Sequence, residues 1–251
     1  MKVKILSVIT ALALLWACDS KTTSSILNTT NSILGGGGTK PVDLTPTNDE
    51  VISGLKEALS TGATNSAGFA SKLDGFNKNP MLFIPFPPQA AKMKQKLIDL
   101  GMQNKVTEFE VSLNRAAEEA SKDAAPIFVN AIKNMSFADA MGILKGGDTA
   151  ATHFLREKTY ASLVETFKPT VKNAITKVEV TKYWTPLANT YNKIPFVEKQ
   201  NPDLDSYVTG LAAQGLFKLV RDEEAKIRKD PMARATDILK KVFGYADSQK
   251  K

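Results

Sequence analysis

The chain has 251 residues, 43% of them hydrophobic and 24% charged, with a formal charge of +7. That is the balance of an ordinary globular protein, with material for one domain of roughly 200 residues and a real core. Its basic excess could favour anionic lipid or nucleic acid, but it is scattered and forms no stripe interleaved with stacking aromatics, so it reads as a solvated surface and no nucleic-acid partner is expected.

Lys2 and Lys4 form a short positive start, and residues 5–17 are an uncharged apolar run. The run is too short to span a bilayer, which needs about 20 residues. It fits the apolar region of a secretory signal peptide, here residues 1–17. Leu15-Trp16-Ala17-Cys18 ends it and resembles a lipobox, with an apolar residue three positions before the cysteine and a small one directly before it. The resemblance implies that the Cys18 thiol accepts diacylglycerol. Cys18 is the only cysteine, so an exported chain has no second thiol with which to form an internal disulfide. The expectation is an exported lipoprotein, held to the cell envelope through Cys18 and facing the periplasm or the surface.

Residues 18–47 carry this cysteine and a tether rich in Ser, Thr, Asn and Gly, including Gly35-Gly36-Gly37-Gly38. It holds too few apolar residues to build a core. The glycine run lacks the Lys-Ser/Thr ending of a phosphate-binding loop. A coil of this length spans on the order of 30 Å root-mean-square.

From Thr47 onward the apolar period is helical, and residues 48–246 are expected to form one all-α, monomeric domain, with 247–251 frayed. Thr47 and Glu50 form a capping box, ahead of a stripe of Ile52, Leu55 and Leu59 that Gly62 is expected to end. A second short helix should hold Phe69 and Leu73. Pro80-Met81-Leu82-Phe83-Ile84-Pro85-Phe86-Pro87-Pro88 excludes a helix interior and a central strand. It reads as a strap across the helices or a short edge hairpin, or, in a functional reading, as an exposed contact surface.

Met93, Leu97 and Leu100 make the next face, which Gly101 ends. Val106, Phe109, Leu113, Ala117, Ala120 and Ala124 then fall on one narrow arc. Ser136 and Asp139 cap a helix that stops at Gly146-Gly147, and Asp148 or Thr149 caps the next. Its apolar residues, from Phe154 to Phe167, cover over half its circumference and predict a central helix. Pro169 should start another, and Tyr183, Trp184, Leu187 and Tyr191 predict an aromatic-rich one. Asp203 caps a long helix whose Gly215 sits inside the apolar arc, where close packing explains it. Asp230-Pro231 reads as the start of the last helix, closed by Gly244.

Three segments resemble a known family. They are Asn114-Arg115-Ala116-Ala117-Glu118, then Gly146-Gly147-Asp148-Thr149-Ala150-Ala151-Thr152, and Glu223-Glu224-Ala225-Lys226-Ile227-Arg228-Lys229-Asp230-Pro231 with Arg234 and Leu239-Lys240-Lys241-Val242-Phe243-Gly244. Together they are similar to bacterial domain-of-unknown-function family 4197 over residues 50 to 244. The resemblance implies one exported helical domain. It brings no activity and no catalytic residues.

No complete catalytic constellation stands out. His153 is the only histidine; Glu157 shares its face, but no His-Glu-x-x-His pattern is present, and no cofactor or metal site is expected. No Gly-x-Ser-x-Gly turn is present. Asn114, Arg115 and Glu118 form the candidate polar cluster: a structural set joining helices, or, in the alternative, a hydrolase or transferase site using Glu118 with Arg115. Glu224 and Arg228 read as an exposed helical ion pair, and Arg234 as a bridge between the last two helices. The leading expectation is a non-catalytic module that binds an envelope protein or other envelope component. A carrier of an apolar ligand held near 80–88 is the third reading.

Overall fold

The computed structural model describes residues 45–177, 179–200 and 203–249. The expected signal peptide, Cys18 and the tether up to residue 44 lie outside these residues. Among the described residues there is no strand, as the helical period of the sequence requires.

Thr47 opens the first helix as a capping box: Oγ1 accepts from the Glu50 N–H at 3.2 Å, and the Glu50 carboxylate accepts from the Thr47 N–H at 2.8 Å. This helix, α1 (Asn48–Ala70), does not stop at Gly62. Gly62, Ala63, Ser66, Ala67 and Ala70 are all buried along its second half. Burial along this continuous face outweighs the cost of about 1 kcal/mol for a helical glycine. The expected separate helix for Phe69 and Leu73 is therefore the end of α1 and the turn after it.

The chain then crosses the bundle as an irregular strap, residues 71–87. The helices that follow are α2 (Ala91–Asp99), α3 (Gln103–Ala120), α4 (Ala124–Lys133), α5 (Phe137–Lys145), α6 (Ala150–Lys177), α7 (Val180–Asn192), α8 (Leu204–Lys229) and α9 (Asp237–Ser248). Gly101, at φ +77°, reverses the chain between α2 and α3. The core is formed by full burial of Leu55, Phe109, Leu113, Phe128, Leu155, Leu163, Phe167 and Leu216 from five of these helices.

α6 is the central helix, packed against α3, α4, α5, α7 and α8. It continues as one helix through Pro169, where a new helix was expected. Proline costs a backbone hydrogen bond there, but Phe167, Val171, Ala174 and Ile175 continue one buried face across it. The last helix also differs from expectation at both ends. Asp230 caps only a single turn, Pro231–Ala233, and Thr236 caps α9 itself. α9 then passes Gly244 and reaches Ser248, into the stretch expected to fray, because Asp247 is tied down by Arg234 at 2.8 Å.

Candidate functional site

Proline forbids the strap a regular ladder of its own, yet its buried backbone groups must still find partners. Helix α3 supplies them from one row of side chains. Glu110 Oε1 accepts from the Phe86 N–H at 2.9 Å. Asn114 Oδ1 accepts from the Ile84 N–H at 2.8 Å, and its Nδ2 donates to the Ile84 carbonyl at 2.9 Å. Glu118 Oε1 accepts from the N–H groups of Phe76 and Asn77 at 3.1 and 3.2 Å. Positions 110, 114 and 118 are four residues apart and lie above one another on a helix. They act in place of a neighbouring strand.

Arg115 closes the set. Its guanidinium donates to Glu118 Oε2 at 2.6 Å and to Asp74 Oδ1 at 2.7 Å. Partial burial opposes its charge, but the bonds to Glu118 and Asp74 outweigh this and raise its pKa above the ordinary guanidinium value. Asp74 is also paired with Lys78 at 2.9 Å. Lys78, then Arg115 and Asn77, hold its carboxyl well below the usual aspartate range.

The structure thus brings Asn114, Arg115 and Glu118 together, with Asn114 and Glu118 buried. Their partners are not on neighbouring helices, as the sequence suggested, but on the strap. Glu118 has both oxygens engaged and its side chain is 6% exposed. A general acid or base must reach a substrate proton, and this carboxylate faces the backbone of its own chain. Sequence reading missed Glu110 and Asp74; the available signal was the recurrence of acceptors at 110, 114 and 118 on an otherwise apolar and alanine-rich face.

A second buried polar group forms where the other family-like segments meet. Glu224 accepts from the N–H groups of Ala151 and Thr152 at 2.9 and 2.8 Å and from the Thr152 hydroxyl at 2.8 Å. It therefore caps α6 from another helix, where Asp148 or Thr149 was expected to do so locally. Arg228 holds Glu224 at 2.8 Å and donates to the Ile143 carbonyl at the end of α5, also at 2.8 Å. The pair is 6% and 4% exposed, so it is not the solvent-exposed pair its spacing suggested. Arg234 donates to the Ile227 and Arg228 carbonyls at the end of α8 and to Asp247 on α9, bridging the last two helices.

On the outer side, the strap alternates. Leu82, Ile84 and Phe86 are buried, whereas Met81, Phe83 and Pro85 are exposed. Met81 is 50% and Phe83 36% exposed, and Phe69 on α1 stands nearby at 47%. Two grooves share Met81: one of about 600 Å³ reaches Phe69, Lys72 and Leu219, and one of about 240 Å³ reaches Phe83, Tyr207 and Leu211. His153 is exposed. Among the described residues no three His, Cys, Asp or Glu side chains converge to hold a metal ion.

A family described as "Protein of unknown function (DUF4197)" matches residues 45–244. No curated protein and no solved structure gives a match. The matched stretch contains the strap, the α3 row and the Glu224–Arg228–Arg234 group. The chain belongs to the DUF4197 family.

Proposed function

We propose that the protein is an envelope lipoprotein, exported and anchored through Cys18, whose helical domain is a non-catalytic module that docks a protein partner on the outer edge of the strap. The observation that carries the docking reading is the outward row of Met81, Phe83 and Pro85 on a backbone clamped from behind by Glu110 and Asn114. A neighbouring apolar row that stays in water marks a contact surface. Holding it rigid reduces the entropy cost of binding. The anchoring part rests on the sequence around Cys18.

Two observations weigh against the alternatives. For a hydrolase or transferase, Glu118 and Arg115 are committed to the strap and to Asp74. For a carrier, the concavity at the strap that reaches Phe83 has about 240 Å³, below the usual range of small-molecule sites, and the apolar cavity between Leu55, Leu59, Val220 and Phe243, away from the strap, has about 20 Å³.

The test places a photo-cross-linking residue at Met81 or Phe83 in the full-length protein in native membranes. Phe196, fully exposed in another part of the chain, is the control position. A discrete protein adduct from 81 and 83 and none from 196 is expected. No adduct, or the same pattern from all three positions, rejects the docking surface. The anchor is tested separately: wild type should incorporate radiolabelled fatty acid, and Cys18→Ala should lose both label and membrane association. Equal labelling of the variant rejects the lipoprotein reading.

A further inference from the structure

A second concavity lies between α4 and the first half of α6, built from residues that neither the strap nor the buried polar groups use. It has about 620 Å³, within the range of small-molecule sites. Ile127 and Ala131 from α4 and Thr159 from α6 line it, and Phe154 stands at one end. Thr159 is buried and turns its hydroxyl back to the Leu155 carbonyl at 2.5 Å, so it offers a ligand little beyond its methyl group.

The remaining polar side chains there behave differently. Asn130 and Asn134 come from the α4 side, and Ser162 and Thr166 from the α6 side. The side chains of these four face solvent and make no hydrogen bond to another described residue. Phe154, Lys158, Ser162 and Thr166 recur every fourth residue, so they form one row along α6, about 18 Å long at the helical rise. The groove is therefore an elongated slot with an apolar and aromatic base and unused carboxamides and hydroxyls on both sides.

Carboxamides and hydroxyls each donate and accept. A row of them matches a ligand whose own groups do both, which is the chemistry of a polyol. Charge points the same way. Lys158 lies 6.0 Å from the Phe154 ring centroid, and Lys158 and Asp139 both line the groove. Asp139 is itself held by Ser136 in a capping box. The two opposite charges balance, so neither a polyanion nor a polycation is favoured. Sugar rings have apolar C–H faces that suit Phe154, Ile127 and Ala131. We infer that the groove between α4 and α6 binds a neutral oligosaccharide, with Phe154 against a ring face and Asn130, Asn134, Ser162 and Thr166 on its hydroxyl or acetamido groups.

The probes are triacetylchitotriose, cellotriose and, as a three-unit peptide, trialanine. Saturation-transfer NMR is run on the full-length protein in a detergent without a sugar headgroup. Wild type should transfer magnetisation to one or both trisaccharides and not to trialanine. Asn130→Ala combined with Ser162→Ala should weaken sugar binding by about tenfold or more, the effect of losing two net hydrogen bonds, with an unchanged melting temperature. If that double variant melts lower, Asn134→Ala alone is read in its place. No transfer to either sugar at millimolar concentration, transfer to trialanine only, or sugar binding unaffected by both variants would overturn the proposal. Because the strap takes no part in this groove, its cross-linking result stands or falls independently.

Discussion

Asn114 holds both backbone hydrogen-bonding groups of Ile84, accepting from its N–H at 2.8 Å and donating to its carbonyl at 2.9 Å. A carboxamide thus does for the strap what a residue of a neighbouring strand does in a sheet. Asn114 is fully buried and so is Ile84, so water cannot replace either bond. Asn114→Ala strands two buried backbone groups, at about 1–3 kcal/mol each. We expect a loss of about 2–5 kcal/mol, read from chemical denaturation. A loss below 1 kcal/mol would mean that the strap finds other partners.

Glu118→Gln keeps an acceptor for the Phe76 and Asn77 N–H groups and removes the charge facing Arg115. Asp74 still holds Arg115, so the loss should be modest, about 1–3 kcal/mol, and any cellular phenotype should follow the amount of folded protein. A fully folded, normally abundant Glu118→Gln protein that behaves like a deletion would instead point to chemistry at this carboxylate.

Two glycines on the inner faces of helices should respond in opposite directions to alanine. A Cβ on Gly215 would meet the Phe76 ring at 3.0 and 3.2 Å and Leu82 at 3.3 Å. Phe76 is fully buried and cannot swing aside. Gly215→Ala should cost about 1–3 kcal/mol in overpacking, more than the helix-propensity gain, and should speed hydrogen exchange at Ile84. A Cβ on Gly62 would meet only Glu223 Cβ, at 3.4 Å. Gly62→Ala should therefore raise stability by up to about 1 kcal/mol. The same sign for both variants in thermal melts would show that packing against Phe76 does not decide.

Asp74 makes the strap sensitive to acid. Its folded pKa lies below the ordinary value near 3.9, so the unfolded chain takes up the proton first. The stabilisation is complete above that ordinary value and is lost as pH falls through the lower folded pKa. Asp74 sits at φ +66°, a conformation asparagine tolerates, so Asp74→Asn removes the charge without backbone strain. Wild type should exceed the variant in denaturant midpoint at pH 6, and the gap should close toward pH 2. A gap independent of pH would exclude this ion pair as its cause.

Leu113 is fully buried in α3, directly before the clamp. Leu113→Ala should cost about 2–5 kcal/mol through lost burial and the cavity left behind, measured by urea unfolding. A change under 1 kcal/mol would place Leu113 outside the cooperative core.

The all-α class, the capping boxes at Thr47 and Ser136, the buried arc of α3 and the proximity of Asn114, Arg115 and Glu118 were legible in the amino-acid order alone. All of these depend on residues within a turn or two of one another, where helical period and cap chemistry are local. What those polar residues hold depends on the packing of distant segments. Glu118 reaches Phe76, 42 positions away, and Glu224 reaches Ala151, 73 positions away; no local pattern encodes such partners. That packing also decided that α1 passes Gly62 and α6 passes Pro169, because burial along a continuous face outweighs one unfavourable residue. The strap's two faces were hidden for a simpler reason. Residues 81–86 are all apolar, so their inward and outward members are chemically alike in the sequence, and only the helices beneath Leu82, Ile84 and Phe86 set them apart.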